Sequence, residues 1–386
     1  MTRGASERRH RRKPVQPDCK NVEICLHHLV KLIARPCELR LANPWKIAST
    51  DGGGSHRTVI VELTDADGVH AIGEAAPSVL YGETAGGVLN FLAGLDAVGL
   101  SFHDVRGGMD FLAQIPGIPM AAKCALNVAL LDGAAKRAGQ PLCDFLGLGF
   151  REQRHVTSFS IGIAAPDIIR EKVFAAAQYP VLKLKVGDPR DRENFAALRS
   201  VAPDKPVRVD ANESWKTKEE ALRMLEWLAA TDKKIQFVEQ PMPRVASDKE
   251  LAWLKEHSPL PVFADESCHT VKDIPRCAEG FHGVNVKLVK TGGVSMARET
   301  LQAARRAGLK TMIGCMIETS VLISAAAQLA ELADYLDVDG NLLITNDPFA
   351  GVTAEKGVLS FANAKEKNGL RASPRVMTAI GQNKTD

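Results

Sequence analysis

At 386 residues the chain exceeds one small core and suffices for a barrel of roughly 200–250 residues plus a second domain. Its 45% hydrophobic and 25% charged residues are those of an ordinary globular protein. The formal net charge of +3 is concentrated at one end, where residues 1–35 carry nine Lys/Arg against three acids, so a globally basic nucleic-acid binder is excluded.

No run of 18 or more apolar residues exists, and no membrane span is expected. The apolar stretch Ile24–Ile33 is interrupted by His27, His28 and Lys31, with no small-residue cleavage site after it, which argues against export. Eight scattered cysteines with no Cys-x-x-Cys pair suggest neither a zinc knuckle nor a disulfide framework, so reduced thiols and a cytoplasmic location are expected.

Residues 1–36 read as a basic, disordered arm, either a solvated tail or a binder of acidic surfaces. An α+β unit is expected over residues 37–150. Strands at Glu38–Leu41, Pro44–Ser49 and Thr58–Leu63 precede a turn at Asp65–Gly68 and a return strand to Gly73. Helices follow, the clearest being the Ala/Leu-rich Met120–Ala138.

From residue 155 to 350 short β-branched runs recur: Ser158–Ile163, Val181–Val186, Val207–Asp210, Ile235–Glu239, Val262–Asp265, Gly283–Leu288, Lys310–Cys315 and Tyr335–Asp339. Helical segments such as Arg192–Ser200, Lys218–Ala230, Val294–Ala307 and Leu322–Leu332 lie between them. Eight β-then-α units predict a parallel (β/α) barrel. A doubly wound sheet would want a Gly-rich phosphate turn after its first strand, and Ile161–Ala165 offers none. Gly292-Gly293 reads as a tight turn rather than a phosphate cradle. A segment at 351–372, with a strand at Gly357–Phe361, is expected to return to the first domain before a polar tail at 373–386.

Polar residues cluster at the strand ends. The second strand ends Lys183-Leu-Lys185, and the period of two sends both ammonium groups the same way. The next ends carry Asp210, Glu239, Asp265 and Lys287, and the last carries Asp337-Val-Asp339. In a barrel these ends meet at one mouth, where active sites of that fold lie. Three carboxylates in a small volume require a cation between them, and all-oxygen ligands suit a hard divalent ion, Mg²⁺. Beside such an ion Lys185 and Lys287 are placed as bases approaching one carbon from opposite faces, with neighbouring positive charge lowering their pKa values.

The segments VLKLKVG, VRVDANESW, FVEQP, ADES, VNVKLVKTGG and GEAAPSVLYGET resemble the enolase superfamily, in its muconate-lactonizing-enzyme-like subgroup, over roughly residues 37–365. The resemblance implies an α+β capping domain on a modified TIM barrel. It also implies one Mg²⁺ on Asp210, Glu239 and Asp265, with Lys185 and Lys287 as the acid/base pair. Lys183 would neutralise a substrate carboxylate. Asp337-Val-Asp339 resembles the signature of dipeptide epimerases, in which the acids hold a free α-ammonium group; a loop-capping role is the alternative. The implied reaction inverts the α-carbon of a dipeptide's C-terminal residue, in Ala-Glu or a related pair, through an enediolate. The o-succinylbenzoate synthases and N-succinylamino acid racemases share the ring without needing an ammonium site. Ser160 is a candidate donor to the substrate carboxylate. The loops Ile47–Arg57 and around Tyr81 are candidate specificity elements, with His56 and Arg57 either meeting an acidic side chain or facing solvent. The partner is a small dipeptide; homo-oligomerisation is left open.

Overall fold

Three strands, β1 (Lys31–Arg40), β2 (Ser55–Thr64) and β3 (His70–Ala75), form an antiparallel sheet in that order. The structure is a computed structural model that describes residues 30–50 and 53–375. Residues 1–29 of the expected arm, most of the expected tail, and Asp51 and Gly52 of the glycine-rich turn lie outside the described residues. The first strand begins at Lys31, not Glu38, so the boundary placed at residue 36 moves towards the N-terminus. Leu32 and Ala34 pack on the cap core, and Arg35 meets Glu62 at 2.6 Å. Pro36 is tolerated because β1 is an edge strand. The strand expected at Pro44–Ser49 is instead a loop with one bridge, Ile47 to Thr50.

Helices α1 (Ala85–Ala93), α2 (Val105–Ala113) and α3 (Met120–Arg137) cover one face of this sheet. Alternation along β2 sends Val59, Val61 and Leu63 into that helical core, while Ile60 on the opposite face joins the barrel core. Gly73 lets β3 lie against α3: a Cβ there would stand 2.0 Å from the carbonyl oxygen of Ala125.

A short helix, α4 (Leu142–Phe145), leads to the barrel. Its strands are β4 (Phe159–Ile161), β5 (Leu182–Lys185), β6 (Val207–Asp210), β7 (Ile235–Glu239), β8 (Val262–Ala264), β9 (Gly283–Lys287), β10 (Lys310–Gly314) and β11 (Tyr335–Asp337). They pair in sequence order, all parallel, and a bridge from Thr157 to Leu336 closes the ring. The intervening helices are α5 (Pro166–Ala175), α6 (Asp191–Val201), α7 (Lys218–Thr231), α8 (Asp248–His257), α9 (Ile274–Gly280), α10 (Leu288–Thr291), α11 (Val294–Arg306) and α12 (Ser320–Ala327).

The eighth unit departs from expectation. Among the described residues no α-helix follows β11; a single turn at Gly340–Leu342 takes its place. The chain then runs to the cap, where Ala42 N–H donates to Leu343 and Thr345 N–H to Arg40. Beyond this lie β12 (Phe349–Ala350) and a hairpin of β13 (Thr353–Glu355) and β14 (Val358–Ser360). The hairpin seats at the barrel's start, Leu359 N–H donating to His155 and Thr157 N–H to Gly357. The chain next reaches cap helix α3, where Leu370 N–H donates to Asp132. Ser373–Pro374 (β15) pairs with β12, so the boundary at 372/373 divides no structural unit.

Asp132 of α3 ties these parts together. Its buried carboxylate accepts from Ile72 N–H at 3.0 Å, Leu370 N–H at 2.8 Å and Lys136 Nζ at 2.7 Å. Asp132→Ala strands two buried amide donors and is expected to cost about 2–4 kcal/mol, read as a lowered melting temperature.

Inside the barrel, alternation makes two layers. Phe237, Phe263, Met312 and Tyr335 plug the lower one, with Arg208 lying over the Phe237 and Tyr335 rings. Two residues further along, past Phe237, Phe263 and Tyr335, the inward positions turn polar (Glu239, Asp265 and Asp337), while β10 offers Gly314. Leu182 and Leu184, facing outward on β5, pack in the large core under the helices. The strand alternation therefore delivers every candidate residue to the upper mouth.

Candidate active site

β5 presents Lys183 and Lys185, β6 Asp210, β7 Glu239, the residue after β8 Asp265, and β9 Lys287. β4 contributes Ser160, and β11 with its next turn gives Asp337 and Asp339. All nine are buried and all nine gather at one mouth. Asp210, Glu239 and Asp265 each offer an oxygen, these lying within 4.8 Å of one another. Lys185 and Lys287 stand four strands apart in a ring of eight, on opposite walls, with the three acids on the strands between.

Lys183 is only 1% exposed, and its ammonium is shared among three carboxylates: Asp210 at 3.0 Å, Glu239 at 2.7 Å and Asp337 at 2.7 Å. It links these acids and also lines the cavity above them. Lys185 meets Asp210 at 2.6 Å and Lys287 meets Asp265 at 2.8 Å. Burial opposes charge on Lys287, but Asp265 together with Tyr81 and Glu239 holds the amine well above the usual lysine range. At Lys287 the facing acids oppose the lowering that nearby positive charge would produce.

The acids divide. Burial works against charge on Asp265, yet Lys287 and Lys290 hold it well below the carboxylate range. Burial, then the Asp210 charge, pushes Glu239 up to about 7; burial and Asp265 push Glu266 up to about 8. Despite burial, Lys183 brings Asp337 down to about 2, whereas burial and Asp337 raise Asp339 to about 6. Six carboxyls (Asp210, Glu239, Asp265, Glu266, Asp337, Asp339) crowd four lysines (183, 185, 287, 290), all buried. Glu266 Oε2 and Asn212 Oδ1 are buried at the same mouth without a hydrogen-bond partner. Three acids grouped within reach of one point, with spare oxygens beside them, fit one hard divalent ion.

Asp337 is already satisfied, accepting from Ser158 Oγ at 2.6 Å and Lys183 at 2.7 Å. Asp339 accepts from Ser160 N–H at 2.6 Å and from the Ser160 side chain, with the weak Cys315 thiol 3.9 Å from its Oδ1. Ser160 therefore belongs with Asp339, through its backbone and its side chain.

Several supporting residues escaped the sequence reading. Lys290 Nζ contacts the Asp265 carboxylate and its own carbonyl oxygen, each at 2.5 Å. Asn285 Nδ2 donates to Glu239 Oε1 at 2.8 Å, and Gly314 leaves it room, since a Cβ there would lie 2.4 Å from Asn285 Oδ1. Gln240 Oε1 accepts from Asp265 N–H and Ser267 N–H at 2.9 and 3.1 Å. Asn212 and Gln240 adopt left-handed φ of 41° and 37° just past Asp210 and Glu239, strain of the kind found beside ligands. The period-two spacing of Asn285 with Lys287 was the one legible signal among these.

A cavity of about 490 Å³ lies over this mouth, roofed by cap residues of the Leu41–Arg57 segment and of Pro77–Gly86. Tyr81 is held against the barrel, its ring edge-on to His269 at 4.9 Å with the Arg244 guanidinium above. Arg244 is fixed by a bidentate pairing to Glu213. Glu74, from β3, caps α12 by accepting from Thr319 and Leu322 N–H, so cap and barrel share one site.

A cap of antiparallel strands and helices over a barrel with an acid-and-lysine mouth is the architecture of enolase-type enzymes. The chain belongs to the mandelate racemase/muconate lactonizing enzyme family: its N-terminal domain model matches residues 30–147, and an enolase C-terminal domain-like model matches 169–350. It is 63% identical over 338 residues to an L-Ala-D/L-amino acid epimerase of Pedosphaera parvula, covering 87% of this chain and 97% of that protein. An L-Ala-D/L-Glu epimerase of Bacteroides thetaiotaomicron is 38% identical, over 86% of this chain and 85% of its own. Among solved structures, a dipeptide epimerase of Enterococcus faecalis complexed with Mg and L-Leu-L-Tyr superposes with a TM-score of 0.81. It is 28% identical and covers 90% of this chain and 99% of that one.

Proposed function

We propose that the protein is a dipeptide epimerase that inverts the α-carbon of the C-terminal residue by two-base proton transfer. The observation that carries this reading is the pair Lys185 and Lys287 on opposite walls of the mouth, with three acids between them. One amine removes the α-proton from one face; the other delivers a proton to the opposite face, and the configuration inverts.

Asp210, Glu239 and Asp265 would hold one Mg²⁺ per subunit. When bound, the ion stabilises the negative charge the substrate carboxylate gains as the α-proton leaves. Lys183 binds Asp210 and Glu239 to Asp337 and keeps these like charges together. Asp339, with oxygen capacity left, receives the dipeptide's α-ammonium group, and Ser160 orients it. That ammonium site separates an epimerase from an o-succinylbenzoate synthase-type lyase or an N-succinylamino acid racemase, whose substrates carry no such cation.

The test is a panel of L,L-dipeptides incubated with enzyme and Mg²⁺ in D₂O. Deuterium is expected at the α-carbon of the C-terminal residue, with the L,D product accumulating. Exchange with none of the dipeptides, or turnover of an N-succinylated amino acid instead, would overturn the reading. Asp339→Asn is expected to raise the dipeptide KM about ten- to hundredfold while leaving Mg²⁺ affinity, measured by calorimetry, unchanged.

A further inference from the structure

The floor and walls of the cavity are committed to the reacting α-carbon, the carboxylate and the ammonium group. The side chain of the epimerised residue has the roof left to it. That roof presents an apolar face of Leu41, Trp45, Ile47, Val79 and Leu80, joined by Ile317 of the barrel rim, and its polar members Thr50, Ser55, Ser78, Glu83 and Thr84 bring no positive charge. Beyond the three floor lysines, the described lining holds one further permanent cation, Arg57, together with His56.

Strand alternation separates these two neighbours. On β2, Arg57 shares the face of Val59, Val61 and Leu63, which look into the cap core, and His56 shares the face of Ile60, which looks into the barrel. Arg57 is accordingly 72% exposed and lies 3.6 Å from Glu38, its cross-strand partner on β1. His56 turns into the cavity, and its Nε2 is buried with no hydrogen-bond partner. Burial pulls its pKa below the ordinary histidine value, so the ring is neutral.

We infer that His56, and not Arg57, reads the side chain of the epimerised residue, and that the preferred side chain is large, uncharged and carries a hydrogen-bonding group, as tyrosine does. The inference rests on the epimerase reading. An apolar roof supplies the contact area, while a carboxylate placed there would lose water and meet no cation. The free Nε2 donates or accepts according to tautomer, and a phenol satisfies either arrangement.

The experiment compares kcat/KM for L-Ala-L-Tyr, L-Ala-L-Phe and L-Ala-L-Glu by α-deuterium exchange. The wild-type enzyme is expected to favour Tyr over Glu by at least about tenfold and Tyr over Phe by about fivefold. His56→Phe should bring the Tyr-to-Phe ratio to unity, His56→Gln should restore part of it, and Arg57→Ala should leave all three ratios as in the wild type. A preference for Glu, no preference for Tyr over Phe, or a ratio untouched by His56→Phe overturns the inference while the epimerase reading stands. Exchange with no dipeptide overturns both.

Discussion

Replacing Lys287 by alanine is expected to abolish epimerisation in both directions, lowering kcat by about 10²–10⁴-fold or more, the range for a positioned proton-transfer group. The loss should be lopsided at the level of exchange. Lys185, on the opposite wall, still reaches one face of the α-carbon, so one epimer should exchange its α-proton with D₂O and the other should not. Following L,L and L,D dipeptides separately distinguishes this from general damage. The fold should tolerate the change, because Lys290 remains beside Asp265 and keeps that carboxylate compensated. Equal turnover by the variant would remove Lys287 from the mechanism.

Asp265→Asn is expected to act on metal, chemistry and stability together. Asp265 is one of three acids grouped to hold an ion, and it is also the anionic partner of both Lys287 and Lys290. Neutralising it leaves two buried ammonium groups without their counter-charge, a loss of about 3–5 kcal/mol visible as a lower melting temperature. Mg²⁺ affinity by calorimetry should fall at least about a hundredfold, since one anionic oxygen ligand is gone. Retained Mg²⁺ affinity would show that the triad is not the metal site. Asp339→Asn, which leaves the triad intact, is the matched control.

The barrel and its ring were legible because strand alternation is a local property. Once Lys183 and Lys185 are on a strand, their common direction follows, and the same holds for Asp210, Glu239, Asp265 and Lys287. What local pattern could not show was who pairs with whom. Lys183 reads as a substrate contact, and nothing local shows that three carboxylates from β6, β7 and β11 also surround its nitrogen. Lys290 sits on the short helix α10 after β9, where one dimension gives no hint that its amine turns back onto Asp265. The start of β1 was hidden by charge: Lys31 and Arg35 look like tail, and only the opposing strand, with Glu62 across from the Arg35 region, makes them sheet. His56 and Arg57, undecided in the linear chain, part company once β2 has a core on each side.

The missing eighth helix bears on how this molecule can be divided. Where other units place a helix, the stretch after β11 crosses to the cap, and Ala42, Leu41 and Arg40 bond to residues 343–345 there. A fragment made by cutting between the two family domains would be a cask lacking a stave, with Phe159 and its neighbours opened to water along one seam. Insertions, fusions and subunit designs on this scaffold should treat cap and cylinder as a single fabric.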